Sequence, residues 1–127
     1  MRLAAAVLFL NASVVGANEL CAAVSGARII AQDDENTYLG KVASAYDSDS
    51  IFNEYDSYGS EYSSDSIWNE YSEWGDEYSS VSPFNKYSST PPMLIKDGEV
   101  IGYLSANKSM KAAVSPSMLK ALCEDEL

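Results

Sequence analysis

The chain has 127 residues, a formal net charge of −11 and no histidine. This length predicts a single domain, because domains of about 100–150 residues are the commonest. The negative charge repels phosphate backbones and anionic lipids, so nucleic acid and acidic membrane surfaces are disfavoured as partners. Without histidine there is no Ser-His or Cys-His catalytic pair and no histidine-ligated metal site.

The first 17 residues have the three parts of a signal peptide. Arg2 supplies the basic start, residues 3–10 form the apolar run LAAAVLFL, and Val15-Gly16-Ala17 matches a small-x-Ala cleavage site. The run is too short to span a bilayer, and no later stretch is long and apolar enough to do so. A buried N-terminal helix is the alternative. We expect cleavage after Ala17, a single domain over residues 18–127, and a secreted or extracytoplasmic location.

Two cysteines, Cys21 and Cys123, lie near the ends of the expected mature chain. An even count in an oxidising compartment favours a disulfide, and two buried thiols are the alternative. Closing a loop of about a hundred residues is worth up to about 4.7 kcal/mol in the chain-entropy model. The residues around Cys21, from 18 to 27, are polar or small and predict no regular element.

Two β-hairpins are predicted, one on each side of the centre of the chain. In the first, strands at 28–31 and 37–42 flank the turn-rich cluster QDDEN. In the second, strands at 93–96 and 100–104 flank Asp97-Gly98. Asp-Gly between two β-rich runs is a strong hairpin signal. The two hairpins supply the β part of the expected fold.

The segment between the hairpins is a tandem repeat over residues 47–87. A sixteen-residue unit, DSDSIFNEYDSYGSEY (47–62), is followed by a near copy, SSDSIWNEYSEWGDEY (63–78), and by a truncated third, SSVSPFNKY (79–87). Serine, aromatic, asparagine and tyrosine positions align in all three copies. Such a match indicates that each copy forms the same local structure.

We expect each copy to form a short helix. Ser50 precedes the first unit's apolar residues as an N-cap does, and Gly59 stands where a C′ glycine belongs; Ser66 and Gly75 repeat this in the second. An irregular loop pinned by its aromatic rings is the alternative. The residues at helical spacing in the first unit are Ile51, Tyr55, Tyr58 and Tyr62. We expect the rings to form the core of the segment, because it has few aliphatic residues.

The acidity and aromaticity of the repeat suggest two kinds of binding site. From Val42 to Asn85 there are ten acidic residues and no basic one, and Asp47-x-Asp49 begins like a calcium loop. The glycine and glutamate that should follow are missing, so a solvated acidic face is preferred and no metal site is assigned. Aromatic rings could also form a surface for a sugar or a peptide. The residues of this candidate ligand surface are Tyr55, Tyr58, Tyr71 and Trp74.

No catalytic residue is assigned. Carboxylate pairs could serve glycoside hydrolysis, but such pairs arise easily in so acidic a chain. There is no glycine-rich loop that could cradle a phosphate, and no cofactor is expected. The chain is therefore expected not to be an enzyme, with a small acid hydrolase as an alternative.

The C-terminal region predicts a helix and a targeting signal. Ser115 as N-cap and Pro116 at the first helical position indicate where the helix begins. The tail Glu124-Asp125-Glu126-Leu127 matches the retrieval signal Lys-Asp-Glu-Leu at three of four positions, which would place a eukaryotic chain in the ER lumen. In the same setting Asn107 would be a glycosylation acceptor. The residues expected to face the core from this helix are Met118, Leu119, Leu122 and Cys123.

The motif Ser-Ile-x-Asn-x-Tyr, followed by aromatic-Gly-x-x-Tyr-Ser and closed by Ser-Pro-Phe-Asn-x-Tyr, resembles a group of small, largely uncharacterised bacterial domains. The resemblance covers about residues 37–105. The leader, both cysteines and the C-terminal tail lie outside it. It implies no activity, ligand or site residue.

These features together predict an α+β fold with two β-hairpins, short helical turns from the repeat and a C-terminal helix, closed by Cys21–Cys123. The expected function is a non-catalytic binding or structural role with an unidentified ligand, for which a cationic or carbohydrate partner is considered. A Ca²⁺-dependent or carbohydrate-binding module is an alternative.

Overall fold

The computed structural model describes residues 16–127, which form a five-stranded sheet, two helices and a long segment of turns. The α+β class is confirmed. The predicted leader lies almost wholly outside the described residues. Within 16–127 no helix is long and apolar enough to cross a membrane. The elements are α1 (Ala17–Val24), β1 (Arg28–Ile30), β2 (Tyr38–Lys41), β3 (Met93–Lys96), β4 (Glu99–Leu104), β5 (Ala113–Val114) and α2 (Pro116–Cys123).

The sheet joins both predicted hairpins, in the strand order β2-β1-β3-β4-β5. Neighbouring strands are antiparallel except β4 and β5, which are parallel. Asp97 and Gly98 form the two-residue turn between β3 and β4, with φ of 54° and 79°. Positive φ at both positions is what a type I′ hairpin turn requires. The chain leaves the sheet at its β2 edge and returns to its centre at β3.

Helix α1 was not predicted. In the uncleaved chain its start is stabilised by the backbone N–H of Gly16, which donates to Oε1 of Glu19 (3.2 Å), and cleavage after Ala17 would remove this contact. Cys21 on this helix forms the predicted disulfide with Cys123 on α2, with a Cα–Cα distance of 5.4 Å. A helix of eight residues is marginal by itself, so its contacts with α2 supply the stability that its own sequence does not signal.

Helix α2 begins where the sequence predicts. Ser115 Oγ accepts a hydrogen bond from the Met118 N–H (3.3 Å), and Pro116 is the first helical residue. Leu119 and Cys123 are buried, as expected. Met118 does not face the core, because its side chain is 54% exposed.

Residues 44–90, here called the repeat segment, form consecutive β-turns and no helix. At nearly every third residue a backbone N–H donates to the carbonyl three residues earlier, as Ser50 does to Asp47 and Asn53 to Ser50. The expected short helices are therefore wrong. Each turn begins with Ser, Asp or Asn, whose side-chain oxygen competes for backbone N–H groups and disfavours a helix. These capping residues are Ser44, Asp47, Ser50, Asn53 and Asp56; Ser60, Ser63, Ser66, Asn69 and Ser72; and Asp76, Ser79, Ser82, Asn85 and Ser88.

Two glycines interrupt the three-residue rhythm, once in each complete unit. A Cβ on Gly59 would lie 2.0 Å from the Asn53 carbonyl oxygen, and one on Gly75 would lie 2.1 Å from that of Asn69. Both distances are far below van der Waals contact. The glycines are therefore required for close packing of the turns, not as C′ residues of helices.

The repeat segment is hydrogen-bonded to the rest of the domain at both ends. At its start, Lys41 N–H donates to the Asp49 carbonyl (2.9 Å) and Ile51 N–H donates to that of Lys41 (3.0 Å), along the free edge of β2. At its end, Ala106 N–H donates to the Pro83 carbonyl (2.8 Å). The turns are thus continuous with the sheet and share its core.

The shared core is mainly aliphatic. The repeat contributes Ile51 and Ile67, which are fully buried, together with Phe52 and Trp74. The larger part comes from the sheet and α2. Its fully buried residues include Ile29, Leu39, Leu94, Leu104 and Leu119.

Candidate functional site

Six tyrosines stand in water at equivalent positions of the turns, with side chains 82% to 97% exposed. The expectation that the tyrosine rings form the core of the repeat is therefore wrong. Each of these tyrosines follows its capping residue by two positions, but rings at the same position of other turns, such as Phe52 and Trp74, are buried, so the turn in which a ring lies decides its exposure. We call them, with the four glutamates described below, the tyrosine face. Its tyrosines are Tyr46, Tyr55, Tyr62, Tyr71, Tyr78 and Tyr87.

The backbone beneath these rings is fixed by the capping side chains. Tyr55 N–H donates to Asn53 Oδ1 (3.1 Å), and Tyr71 N–H donates to Asn69 Oδ1 (3.0 Å). The other four tyrosines donate in the same way to Ser or Asx oxygens at 2.9 to 3.2 Å. A fixed backbone lets an exposed ring contact a ligand with little loss of conformational entropy.

The four residues of the predicted ligand surface differ in their exposure. Tyr55 and Tyr71 are 89% and 90% exposed and belong to the tyrosine face. Tyr58 is half-buried, with its ring edge-to-face against Tyr38 at 5.2 Å. Trp74, at 8% exposed, belongs to the core. Tyr58 and Trp74 also stand two positions after the first residue of a turn, so this spacing does not separate them from Tyr55 and Tyr71; their burial follows from which turns face the core.

Four tyrosines of the face were missed by sequence reasoning. Each stands two residues after a capping residue, as Tyr55 and Tyr71 do, but so do the buried Phe52 and Trp74, so this spacing alone would not have found them. The missed residues are Tyr46, Tyr62, Tyr78 and Tyr87.

Asparagine side chains hold the outward turns against the preceding ones. Besides accepting from a tyrosine N–H through Oδ1, each donates through Nδ2 to the carbonyl six residues earlier. Asn53 donates to Asp47 (3.2 Å), and Asn69 donates to Ser63 (2.9 Å). Asn85 repeats the contact. This double role needs an amide, since a carboxylate has no donor.

Serine hydroxyls hold the inward turns against earlier parts of the chain in the same way. Ser66 is fully buried, and its Oγ donates to the Tyr58 carbonyl (3.3 Å) while accepting from the Trp68 N–H (3.1 Å). Ser50 makes the equivalent pair of bonds with Ala43 and Phe52. Their predicted capping role is right in kind, but they cap turns rather than helices.

Two clefts, sixteen residues apart, lie between paired tyrosines of the face. The Tyr46 cleft, of about 480 Å³, has Tyr46 and Tyr55 at its sides and Phe52 among its lining residues. The Tyr71 cleft, of about 440 Å³, has Tyr62 and Tyr71 in the same positions, and Trp68 replaces Phe52. Both lie within the size range of small-ligand sites, roughly 300–1,000 Å³.

A second pair of clefts lies between one unit and the next. The Lys120 cleft, of about 490 Å³, is lined by Glu54, Gly59, Ser60, Glu61, Tyr62, Trp68 and Lys120. The Phe84 cleft, of about 410 Å³, has the residues sixteen positions later: Glu70, Gly75, Asp76, Glu77, Tyr78 and Phe84, with Ile67 and Trp68. The repeat in the sequence thus produces a repeat in the surface.

Four glutamates accompany the rings. Each immediately precedes a tyrosine of the face and lines at least one cleft. The pairs that share a cleft are Glu54 with Glu61 and Glu70 with Glu77. All four side chains are exposed. The clefts are therefore both aromatic and negatively charged.

The aspartates that resemble a calcium loop already have protein partners. Asp47 Oδ1 accepts from the Asp49 N–H (2.9 Å), and Oδ2 pairs with Lys41 Nζ (3.0 Å). Both contacts lower the pKa of the Asp47 carboxyl, the backbone hydrogen bond most. Across residues 16–127 no group of three or more Asp, Glu or Cys side chains is arranged to hold a metal ion.

Tyr38 connects this corner of the repeat to the sheet. Its hydroxyl donates to Asp49 Oδ2 (3.0 Å), and the Arg28 guanidinium lies 5.4 Å from the centre of its ring. Burial, reinforced by the hydrogen bond to Asp49, raises the pKa of Tyr38 to about 12. The neutral phenol of Tyr38 therefore connects Asp49, near the start of the repeat segment, to the sheet.

No protein-family model matches this chain, and no curated protein or solved structure matches it. The resemblance to the bacterial domain group therefore stays a prediction.

Proposed function

We propose that the chain is a non-catalytic binding domain of the secretory pathway, and that the tyrosine face is its contact surface. The observation that carries this is the exposure of six tyrosine rings at equivalent turn positions. A ring needed only for folding would be buried, as Trp74 is. Tyrosine is also suited to contact surfaces, because it offers a large rigid area at low entropic cost.

The repetition of the face supports a partner that is itself repetitive. One cleft offers a small contact area, and its affinity for a single group would be low. Several equivalent clefts on one rigid surface can hold successive groups of a polymer at once, which raises the overall affinity without any new type of contact.

The non-catalytic part of the proposal does not depend on the tyrosine rings. It rests on the absence of histidine from the chain and on the exposure of the paired glutamates. A hydrolase alternative would use Glu54 with Glu61 or Glu70 with Glu77. A general acid in such a pair needs a desolvated carboxyl group, which these open clefts do not provide.

The location is supported by the leader and by the disulfide between α1 and α2, which fits an oxidising compartment. A role for the tail in ER retrieval has less support, since Leu127 packs partly buried against the core. Asn107 Nδ2 donates to the Ser88 carbonyl (2.9 Å), so glycosylation of the folded chain would break a structural bond. Mass spectrometry of the chain secreted by its host should find Asn18 as the first residue; a retained Met1 would contradict this.

The proposed function is tested by comparing the wild-type domain with a variant carrying Tyr55→Ser, Tyr71→Ser and Tyr78→Ser. The probes are insoluble cellulose and chitin, a soluble β-glucan, and oligolysine. We expect at least one probe to bind the wild type and to lose binding to the variant at an unchanged melting temperature. Equal behaviour of the two proteins on every probe would refute a binding role for the face.

A further inference from the structure

The four clefts adjoin one another and form one continuous surface. Glu54 lines both the Tyr46 cleft and the Lys120 cleft. Glu61, Tyr62 and Trp68 line both the Lys120 cleft and the Tyr71 cleft. Glu70 then joins the Tyr71 cleft to the Phe84 cleft. An extended chain could therefore pass from one cleft to the next.

One of these clefts already holds an ammonium group, supplied by the protein itself. Lys120 extends from α2 into the Lys120 cleft, where its Nζ lies 4.9 Å from the centre of the Trp68 ring. The same nitrogen pairs with Glu124 Oε2 at 3.0 Å. Cation–π attraction of this kind is favourable even at exposed sites. The Lys120 cleft thus shows which chemical group a cleft of this shape accommodates.

The equivalent Phe84 cleft has the same kind of lining without an internal cation. Phe84 takes the place of Trp68, and Glu70, Glu77 and Tyr78 take the places of Glu54, Glu61 and Tyr62. None of the residues that line this cleft is basic. It therefore offers an aromatic ring and two carboxylates to a cation from outside.

The surrounding charge favours the same ligand. Between Val42 and Asn85 the chain has ten acidic residues and no basic one. An anionic polymer would be repelled, and a neutral one would gain hydrogen bonds but no charge attraction from the carboxylates beside each ring. A polycation gains an ion pair and a ring contact in each cleft, and its approach is accelerated by the field of the acidic segment.

We propose that the tyrosine face binds an extended polypeptide rich in lysine or arginine, whose side chains enter successive clefts as Lys120 enters its own. This inference rests on the proposed function and names its partner class. The Phe84 cleft receives one ammonium or guanidinium group between Glu70 and Glu77. The Tyr46 and Tyr71 clefts receive neighbouring side chains of the same partner.

Oligolysine is the probe that tests this, with oligolysine acetylated on its side chains as the uncharged counterpart. Calorimetry at low ionic strength should detect binding of the first and not of the second, and the affinity should fall as salt is added. Glu70→Gln with Glu77→Gln should weaken binding about tenfold, the sum of two exposed ion pairs. Glu73→Gln with Glu99→Gln is the matched control, since it removes the same charge at exposed positions outside the clefts.

A second variant tests the same inference by removing a positive charge from a cleft. Lys120→Ala should strengthen oligolysine binding, because it vacates a cleft, whereas Lys111→Ala makes the same charge change at an exposed residue away from the face. Equal weakening by both double glutamate variants, or equal effects of both lysine variants, would reduce the interaction to bulk charge and overturn the inference. Binding of β-glucan instead, lost with Tyr78→Ser, would overturn it while leaving the proposed binding function in place. Binding of no probe at all would overturn both.

Discussion

The sheet half of the molecule and the repeat segment are stabilised by different chemistry. In the sheet half, hydrogen bonds join strands distant in the sequence, and aliphatic side chains such as Leu39 and Leu94 fill the interior. In the repeat segment, most backbone bonds close within three residues, and serine and asparagine side chains complete them. The comparison shows that side-chain hydrogen bonds can fix a long segment in which six tyrosine rings stand in water.

This difference has a consequence for function. In the sheet half, buried side chains such as Leu39 and Leu94 are needed for folding and are not free to contact a partner. In the repeat segment, Ile51, Ile67 and several serines are among the residues that form the interior. The exposed tyrosines are therefore free for binding. Substitutions in each half should separate the two kinds of stabilisation, and the largest effect is expected from a change that affects the whole domain.

Removing the disulfide should have the largest effect. Cys21 and Cys123 are 102 residues apart and enclose the sheet and the repeat together. The double change Cys21→Ser with Cys123→Ser should lower the free energy of unfolding by about 4 kcal/mol, through the larger entropy of the unfolded chain. Urea denaturation followed by tryptophan fluorescence and by circular dichroism measures this. Transitions that separate between the two probes would show that the halves unfold independently.

Gly75→Ala should come next, because its new Cβ would meet the Asn69 carbonyl oxygen at 2.1 Å. We expect a loss of about 3 kcal/mol or more, since backbone on both sides must move. Gly26→Ala is the matched control: its φ is +84° but no atom lies within 4 Å of the added Cβ. That change should lose about 1–2 kcal/mol from backbone strain alone. Equal losses for the two would refute the close-packing role of Gly75.

Two opposite amide–acid exchanges test the role of the capping side chains. Asn69→Asp keeps the acceptor for Tyr71 but removes the donor to the Ser63 carbonyl. It should lower the free energy of unfolding by about 2 kcal/mol, because it leaves that carbonyl facing a carboxylate. Asp76→Asn should change it by less than about 0.5 kcal/mol, because Asp76 serves as an acceptor for Tyr78. Thermal denaturation at neutral pH compares them, and a larger loss for Asp76→Asn would contradict this assignment.

Alkaline pH should weaken the junction between the two halves. The folded-state pKa of Tyr38 is raised from the ordinary 10.0 to about 12, so the folded protein retains this proton where the unfolded chain loses it. The resulting stabilisation is fully present below pH 10 and is lost as the pH rises from 10.0 towards about 12. Tyr38→Phe should make the decline of stability over this window shallower. An unchanged decline, followed by denaturation at each pH, would place the dependence on other groups.

The smallest effect on stability should come from the tyrosine face. Tyr71→Ser removes a ring that is 90% exposed and keeps the backbone bond to Asn69. The free energy of unfolding should change by less than about 0.5 kcal/mol. Trp74→Ser, three residues away and 8% exposed, should lower it by about 3 kcal/mol or more. Similar losses at the two positions would mean that Tyr71 contributes to packing after all.

Some features of the fold could be predicted from the residues alone. The Asp97-Gly98 turn, the Ser115-Pro116 helix start and the pairing of Cys21 with Cys123 were all predicted and are present. The turn and the helix start depend on the backbone preferences of a few adjacent residues, and the disulfide was predictable because the chain has only two cysteines. The tandem repeat and the equivalence of its units could also be recognised in the sequence.

The tertiary structure decided which face of the repeat is buried and whether its turns are helical. Residues spaced four, three and four positions apart lie on one face of a helix. In successive three-residue turns, residues with the same spacing lie alternately on the buried and the exposed side. Tyr55 and Tyr62 therefore point into water while Tyr58, between them, packs against Tyr38. The choice depends on hydrogen bonds from capping side chains and on the close approach permitted by Gly59 and Gly75. Helix α1 was not predicted for a related reason. Its eight residues gain their stability from the helix beside them and not from their own sequence.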